Sequence, residues 1–181
     1  MTPRPVAQRE RTVEMAHAFL AEVRRDLGKA VAAGCDLPPR LRSVHLRAGH
    51  ATPEYRTLAI PTTPGNEGPS PDILSSMIAR YAELHPPCCM MLALDGLSEG
   101  PSGTPRPILI AEARDAVGTR LFWMQGFGAV DGKIEWEPPI GGGWQDPADQ
   151  ELILDLAFAQ EPAPAPLPRA ARATTEAHLV G

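Results

Sequence analysis

The sequence lacks several features that would place the protein in a specialised class. No apolar stretch approaches the about 20 residues that a membrane-spanning helix requires, so we expect no membrane association. Residues 1–30 contain Arg9, Glu10 and Glu14 and no uninterrupted apolar segment, so we expect no secretory signal there. The three cysteines are an odd number, which does not suit a disulfide framework. Together these absences predict a cytoplasmic protein with reduced thiols.

Basic residues are scarce in the main part of the chain. Residues 48–160 hold six Lys or Arg against fifteen Asp or Glu, whereas residues 1–47 hold nine against five. Because an acidic surface repels phosphate, we expect no nucleic-acid partner. The basic N-terminal part is expected to face acidic side chains of its own chain, and an acidic protein partner is the alternative.

The sequence also lacks the spacing typical of catalytic and metal centres. No nucleophile, histidine and acid are spaced in a way that indicates a hydrolytic triad. Cys88 and Cys89 are adjacent, and neighbouring residues of a strand point to opposite faces, so a redox pair is not predicted. His45 and His50, with Glu54 nearby, are too few ligands for a zinc site. We therefore expect no metal and no cofactor.

The sequence does contain a long apolar centre. Residues 88–94, 108–111 and 121–124 are apolar without a break. Strands with one wet face alternate, whereas unbroken apolar runs are typical of strands that are covered on both faces. We therefore predict three central strands shielded from water on both sides. The segment 95–106 between the first two is rich in glycine and proline and is predicted to be an exposed loop.

Turn residues predict how these strands are connected. Asp115–Gly118 and Asp131–Gly132 are both typical of tight hairpin turns, which makes the central strands a meander. Residues 133–137 alternate between polar and apolar side chains, so this strand is predicted at an edge of the sheet. Upstream, residues 43–47 and 55–60 are predicted to form a separate hairpin.

Three helices are predicted around these strands. Residues 12–33 carry one apolar stripe, which suits a helix packed on the domain or on a second copy of the chain. Ser70–Asp72 is a strong start signal for a second helix, which ends before Pro86. Asp146–Pro147 repeats this signal and predicts a third helix whose apolar side extends to Gln160.

These elements predict an α+β fold with a single, mostly antiparallel sheet of about five or six strands. The order is helix, hairpin, helix, meander, helix, and the sheet is predicted to be covered by helices on both faces, the middle helix on one and the terminal helices on the other. The chain divides into an N-terminal helix (1–34), a core domain (35–160) and a disordered tail rich in proline and alanine (161–181). The order of elements is similar to that of roadblock- and profilin-like domains, a likeness that no residue motif accompanies and that implies nothing about function.

Aromatic side chains are few but concentrated near a glycine-rich loop. All three tryptophans lie between residues 123 and 144. Tryptophan is common in binding surfaces, so Trp136, Trp144, Phe127 and Gly142 are predicted to bind a ligand or a partner. The alternative is simple packing beneath the third helix. A phosphate site at the glycine-rich loop is disfavoured because no Lys-Ser/Thr pair follows it.

Two carboxylates at strand ends are the candidate catalytic residues. Glu112 follows an apolar strand and Asp95 ends another. A carboxylate partly buried at such a position has a raised pKa and can act as a general acid or base. The alternative for Glu112 is an ion pair with Arg114 or Arg120.

The sequence therefore favours a protein-interaction or small-ligand-binding module. The apolar stripe of the first helix predicts a homodimer. A small hydrolase that uses Glu112 or Asp95 near the tryptophans is the alternative, from a different functional class. No substrate, partner or pathway follows from the sequence.

Overall fold

The computed structural model describes residues 5–47, 49–62, 68–100 and 102–159. The predicted tail, residues 161–181, and Gln160 lie outside the described residues. The described elements comprise six strands, two long helices, a 3₁₀ turn and a final one-turn helix. In chain order they are α1 (Pro5–Ala33), β1 (Arg40–His45), β2 (Glu54–Ala59), α2 (Pro71–Leu84), β3 (Cys89–Glu99), β4 (Pro105–Asp115), β5 (Arg120–Val130), β6 (Lys133–Trp136), the 3₁₀ turn (Ile140–Gly142) and α3 (Asp155–Phe158).

The six strands form one antiparallel sheet in the order β2-β1-β3-β4-β5-β6. The predicted α+β class with an antiparallel sheet is therefore confirmed. β6 lies at one edge, as its alternating pattern predicted, and β2 lies at the other. The turn after β5 contains Asp131 and Gly132, both with positive φ (49° and 72°), which is the backbone that a tight two-residue hairpin requires.

The central strand β3 explains why the middle of the sequence is apolar without alternation. Cys89 and Met91 pack in one hydrophobic cluster with residues of α1. Met90 and Leu92 pack in a second cluster with residues of α2. All four side chains are 0% exposed. Because successive side chains of a strand point to opposite faces, a strand with buried neighbours on both sides must be apolar at every position.

Helix α1 begins at Pro5, earlier than the predicted start at residue 12. Its stripe, which includes Leu20, Val23 and Leu27, is buried against the sheet of the same chain. The apolar stripe of α1, which could have packed on a second copy of the chain, is thus covered by the sheet of its own chain. Two acidic side chains of α1 pair with arginines of β1, Glu22 with Arg42 at 2.6 Å and Asp26 with Arg40 at 3.6 Å.

Asp115 fastens the N-terminal half of α1 to the β4–β5 turn. Its carboxylate is buried, and Oδ1 accepts the backbone N–H groups of Val117 (3.0 Å) and Thr119 (2.8 Å). Oδ2 accepts the hydroxyl of Thr12, which is fully buried on α1, at 2.8 Å. The predicted turn at Asp115–Gly118 is therefore present, and the same aspartate also positions the helix.

Helix α2 follows the predicted start signal. Ser70 Oγ accepts the N–H of Ile73 at 3.5 Å, Pro71 occupies the first helical position, and the helix ends before Pro86. The third-helix prediction is wrong in its start and length. Asp146 Oδ1 accepts the N–H of Ala148, whose φ is +48°, so the chain turns there and only Asp155–Phe158 become helical.

The predicted placement of the terminal helices on a common face is also wrong, because the segment around α3 packs with α2. Side chains of the central strands hold it there. Glu112 Oε2 accepts the N–H of Leu154 at 3.1 Å, and Arg120 pairs with Asp155 at 2.6 Å. Glu112 is thus bonded to backbone rather than to the predicted arginines, and Arg114 also pairs with Asp155, at 3.1 Å.

The segment 95–106 is mostly strand rather than the predicted loop. Register pairs from Asp95–Leu109 to Glu99–Pro105 extend the β3–β4 hairpin well beyond the apolar run. Glycine and proline therefore do not end these strands, because the cross-strand pairing holds them. β3 ends at Glu99 and β4 begins at Pro105.

Candidate functional site

Two of the predicted binding residues lie together at the β5–β6 edge of the α1 face. The rings of Phe127 and Trp136 are 5.4 Å apart and tilted by 52°. Arg24 of α1 lies 4.4 Å above the ring of Trp136, close enough for a cation–π contact. The Trp136 ring is thus covered by the helix on one side and is half-buried.

Trp144 belongs to a separate contact on the same face. Its ring lies 5.6 Å from that of Trp123 and edge-on to His17 of α1 at 6.3 Å. Its indole nitrogen is buried. Gly142 is exposed in the 3₁₀ turn with φ of +81°, and its N–H donates to the carbonyl of Pro139 at 3.0 Å. None of the hydrogen bonds among the described residues joins Gly142 to Phe127 or Trp136.

Glu112 lies on the other face of the sheet from the tryptophans. In the β4–β5 register it pairs with Phe122, one residue removed from the Ala111–Trp123 pair, so the two side chains point to opposite sides. Burial raises the pKa of Glu112, and its bond to the N–H of Leu154 works against that rise. This geometry describes a structural carboxylate that holds the C-terminal segment against the sheet.

Asp95 lies on the α1 face and lines a cleft of about 370 Å³. The cleft opens between the C-terminal part of α1, the connection that follows it, and the ends of β3, β4 and β5. Phe127 lines it as well, so the structure brings together one predicted catalytic residue and one predicted binding residue. We call this space the Asp95 cleft; its lining is Leu27, Val31, Cys35, Asp36, Leu37, Asp95, Gly96, Leu97, Pro107, Phe127 and Ala129.

The electrostatics of the Asp95 cleft are one-sided. Burial raises the pKa of Asp95, and the nearby negative charge of Asp36 raises it further. A hydrogen bond from its own backbone N–H lowers the pKa but does not offset the burial. Within the described residues the lining contains two carboxylates and no lysine, arginine or histidine. Asp95 is thus a half-buried carboxylate for which the described part of the chain supplies no counter-ion.

Sequence reasoning missed Asp36 as a member of this site. Asp36 follows the end of α1 and is exposed, a position that reads as an ordinary polar connection. The neighbouring Cys35 is also exposed. The local signal for both is weak, because the cleft forms only when the end of α1 is packed over β3 and β5.

A polar network at His45 was also not predicted. His45 Nε2 lies 2.9 Å from Ser43 Oγ, and its Nδ1 lies 3.2 Å from the carbonyl of Pro86. Since a carbonyl only accepts, neutral His45 must carry its proton on Nδ1, which leaves Nε2 to accept the serine hydroxyl. Ser43 is only 1% exposed and also lies 3.0 Å from the hydroxyl of Tyr81. The network therefore joins β1 to α2, and its serine is closed to a substrate.

No group of three or more His, Cys, Asp or Glu side chains that would suit a metal ion occurs in the part of the chain that the structure describes. Among the described helices, none has the length and apolar character needed to cross a bilayer. Comparison with protein-family models, with curated proteins and with solved structures finds no match for this chain.

Proposed function

We propose that the protein is a small-ligand-binding module and that its ligand is an organic cation with an apolar body. The observation that carries this proposal is the half-buried carboxylate of Asp95 in a cleft whose walls are mostly apolar and whose described lining supplies no basic side chain. A ligand amine beside Asp95 would supply the missing charge. Its hydrocarbon part would lie against Leu27 and Phe127.

The energetics favour a cation over an anion or a neutral compound. A carboxylate that has lost part of its hydration regains favourable interactions when a cation binds beside it, and Asp36 attracts the same charge. An anion would be repelled by both. The cleft volume of about 370 Å³ lies at the small end of the range typical of ligand pockets, about 300–1,000 Å³. The proposal is therefore limited to small amines.

A set of three matched compounds tests this function: phenethylamine, the neutral 2-phenylethanol and the anionic 3-phenylpropionate. We expect the amine alone to raise the melting temperature and to bind in isothermal titration. Asp95→Asn should abolish binding, while Glu99→Gln, which removes an exposed carboxylate from the same strand, should leave it intact. Equal binding of all three compounds, or unchanged amine binding by Asp95→Asn, would contradict the proposal.

A small hydrolase that uses Asp95 as a general acid or base is the second candidate. The observation that favours it is the raised pKa of Asp95. Phe127, which lines the same cleft, contacts Trp136. Glu112 is a weaker choice, because it is bonded to Leu154 on the other side of the sheet. A screen with chromogenic esters, amides and phosphate esters tests this candidate. Turnover that is lost in Asp95→Asn and kept in Glu99→Gln would favour it over simple binding.

We further propose that the protein works in the cytoplasm and that helices cover both faces of its sheet. The first rests on the reduced cysteines, of which Cys88 and Cys89 are adjacent and form no disulfide. The second is supported by the two hydrophobic clusters, one containing α1 and the other α2. The division into an N-terminal helix, a core and a tail remains a prediction.

A further inference from the structure

Edge strand β2 has apolar side chains exposed on both sides. On the α1 side, Tyr55 is 52% exposed and Leu46 is 65% exposed. Both line a cleft of about 340 Å³ whose other walls include Met15 of α1 and Pro53. Leu58 points to the α2 side, because it pairs with Leu41, which belongs to the α2 cluster. It is exposed as well. An edge strand with such flanks is a common place for another strand to be added.

The open flank of α2 continues this surface. Ile73, Met77 and Leu84 are exposed and share one side of the helix at 100° per residue. The opposite side of α2 faces α3, where Ser75 Oγ donates to the carbonyl of Ile153 at 2.9 Å. The three apolar residues therefore lie on the side of α2 away from α3, next to Tyr81, whose hydroxyl lies 3.0 Å from Ser43 of β1. We call β2, Leu46 and these three residues the β2 surface.

We infer that the β2 surface binds a second copy of this chain through an antiparallel pair of β2 strands centred on Tyr55. If the two β2 strands continue one sheet, the two-fold axis that relates them is perpendicular to that sheet. Paired residues then point to the same face, and the residue on the axis lies opposite its own copy. With Tyr55 on the axis, Glu54 lies opposite Arg56 of the second copy, twice by symmetry. The two tyrosine rings meet on the α1 side.

Charge separates this register from its neighbours. With Glu54 on the axis two carboxylates would oppose each other, and with Arg56 on the axis two guanidinium groups would do so. Within one chain Glu54 is already paired with Arg56 at 2.9 Å and with Arg47 at 2.7 Å. Both charges therefore lie on the edge strand, where the partner's opposite charges would arrive. Self-complementarity of this kind favours a second copy over an unrelated peptide.

Charge reversal tests the interface by sedimentation equilibrium of the full chain over micromolar concentrations. We expect the wild type to dimerise and Arg56→Glu, which places like charges opposite each other, to raise the dimer dissociation constant at least about tenfold. The double variant Glu54→Arg/Arg56→Glu should restore the dimer. Val117→Lys, an exposed apolar residue in the β4–β5 turn, is the matched control and should change nothing. Circular dichroism checks that each variant is folded.

Three results would overturn the inference. The first is a wild-type chain that stays monomeric over the whole range. The second is a dimer that Arg56→Glu leaves intact or that the double variant does not restore. The third is a dimer that appears only after residues 161–181 are removed, since the tail and not a second copy would then occupy the β2 surface. None of these results bears on amine binding at the Asp95 cleft, which is tested separately.

Discussion

Removal of the Thr12 hydroxyl is the sharpest perturbation of the way α1 is attached to the sheet. Thr12→Val keeps the shape of the side chain but removes the 2.8 Å hydrogen bond to Asp115 Oδ2. Thr12 is 0% exposed and Asp115 is 1% exposed, so water does not easily replace the lost donor. Hydrogen bonds to charged groups contribute about 1.5–3 kcal/mol, and we expect the free energy of unfolding to fall by that amount.

Asp115→Ala is expected to cost more, because three donors lose their acceptor: the hydroxyl of Thr12 and the N–H groups of Val117 and Thr119. The turn amides regain some water, so we expect a loss of about 3–5 kcal/mol rather than three full hydrogen bonds. The double variant should lose less than the sum of the two single variants, since both remove one shared hydrogen bond.

Urea unfolding followed by circular dichroism measures these changes, and the slope of the transition shows whether the folded or unfolded state has changed compactness. Thr104→Val, in the exposed β3–β4 turn, is the control and should stay within about 0.5 kcal/mol of the wild type. A Thr12→Val variant as stable as this control would show that the Thr12–Asp115 hydrogen bond does not stabilise the fold. So would strict additivity of Thr12→Val and Asp115→Ala.

Three further predictions follow from burial, charge and composition. Burial raises the pKa of Asp95 in the folded protein, so ionised Asp95 destabilises the fold increasingly as pH rises from its unfolded pKa through its folded pKa. In urea titrations Asp95→Asn should therefore increase the free energy of unfolding at about pH 7 and leave it unchanged below about pH 4. An increase that does not depend on pH would contradict this. In a thiol titration with Ellman's reagent, exposed Cys35 should react rapidly. Cys89 should react only when the protein unfolds, because burial shields its thiol and raises its pKa. Equal rates for the two thiols would show that α1 does not cover the sheet. Truncation after Gln160 should leave the melting temperature nearly unchanged, because the tail lacks apolar periodicity, and a drop of many degrees would show that it is docked.

The central fold could be predicted because burial on both faces leaves a direct mark on the sequence. The run from Cys88 to Leu94 contains no polar side chain, and residues 89–93 within it are at most 2% exposed. The start of α2 was equally legible, since Ser70 caps the helix that Pro71 begins. The same start signal failed at Asp146, whose carboxylate accepts the N–H of Ala148 and closes a turn instead. A cap residue specifies a local hydrogen bond, and tertiary contacts decide whether a helix or a turn follows it.

The candidate site could be predicted only in part, because it is assembled from separate segments. Asp95 and Phe127 were identified from burial and aromatic character, but nothing local indicates that they share one cleft. Their proximity follows from the β3–β4–β5 pairing and from the end of α1, which brings Asp36 to the same place. Trp136 and Trp144 were chosen for the same aromatic character, yet each packs under a side chain of α1.

Amine binding at the Asp95 cleft can be located residue by residue in solution. We would titrate phenethylamine into uniformly ¹⁵N-labelled protein and follow the backbone amides by NMR. We expect the largest shifts to fall on residues that line the Asp95 cleft, such as Asp36, Gly96 and Ala129, and to disappear in Asp95→Asn. Shifts that centre elsewhere on the sheet, or that persist in Asp95→Asn, would contradict this expectation.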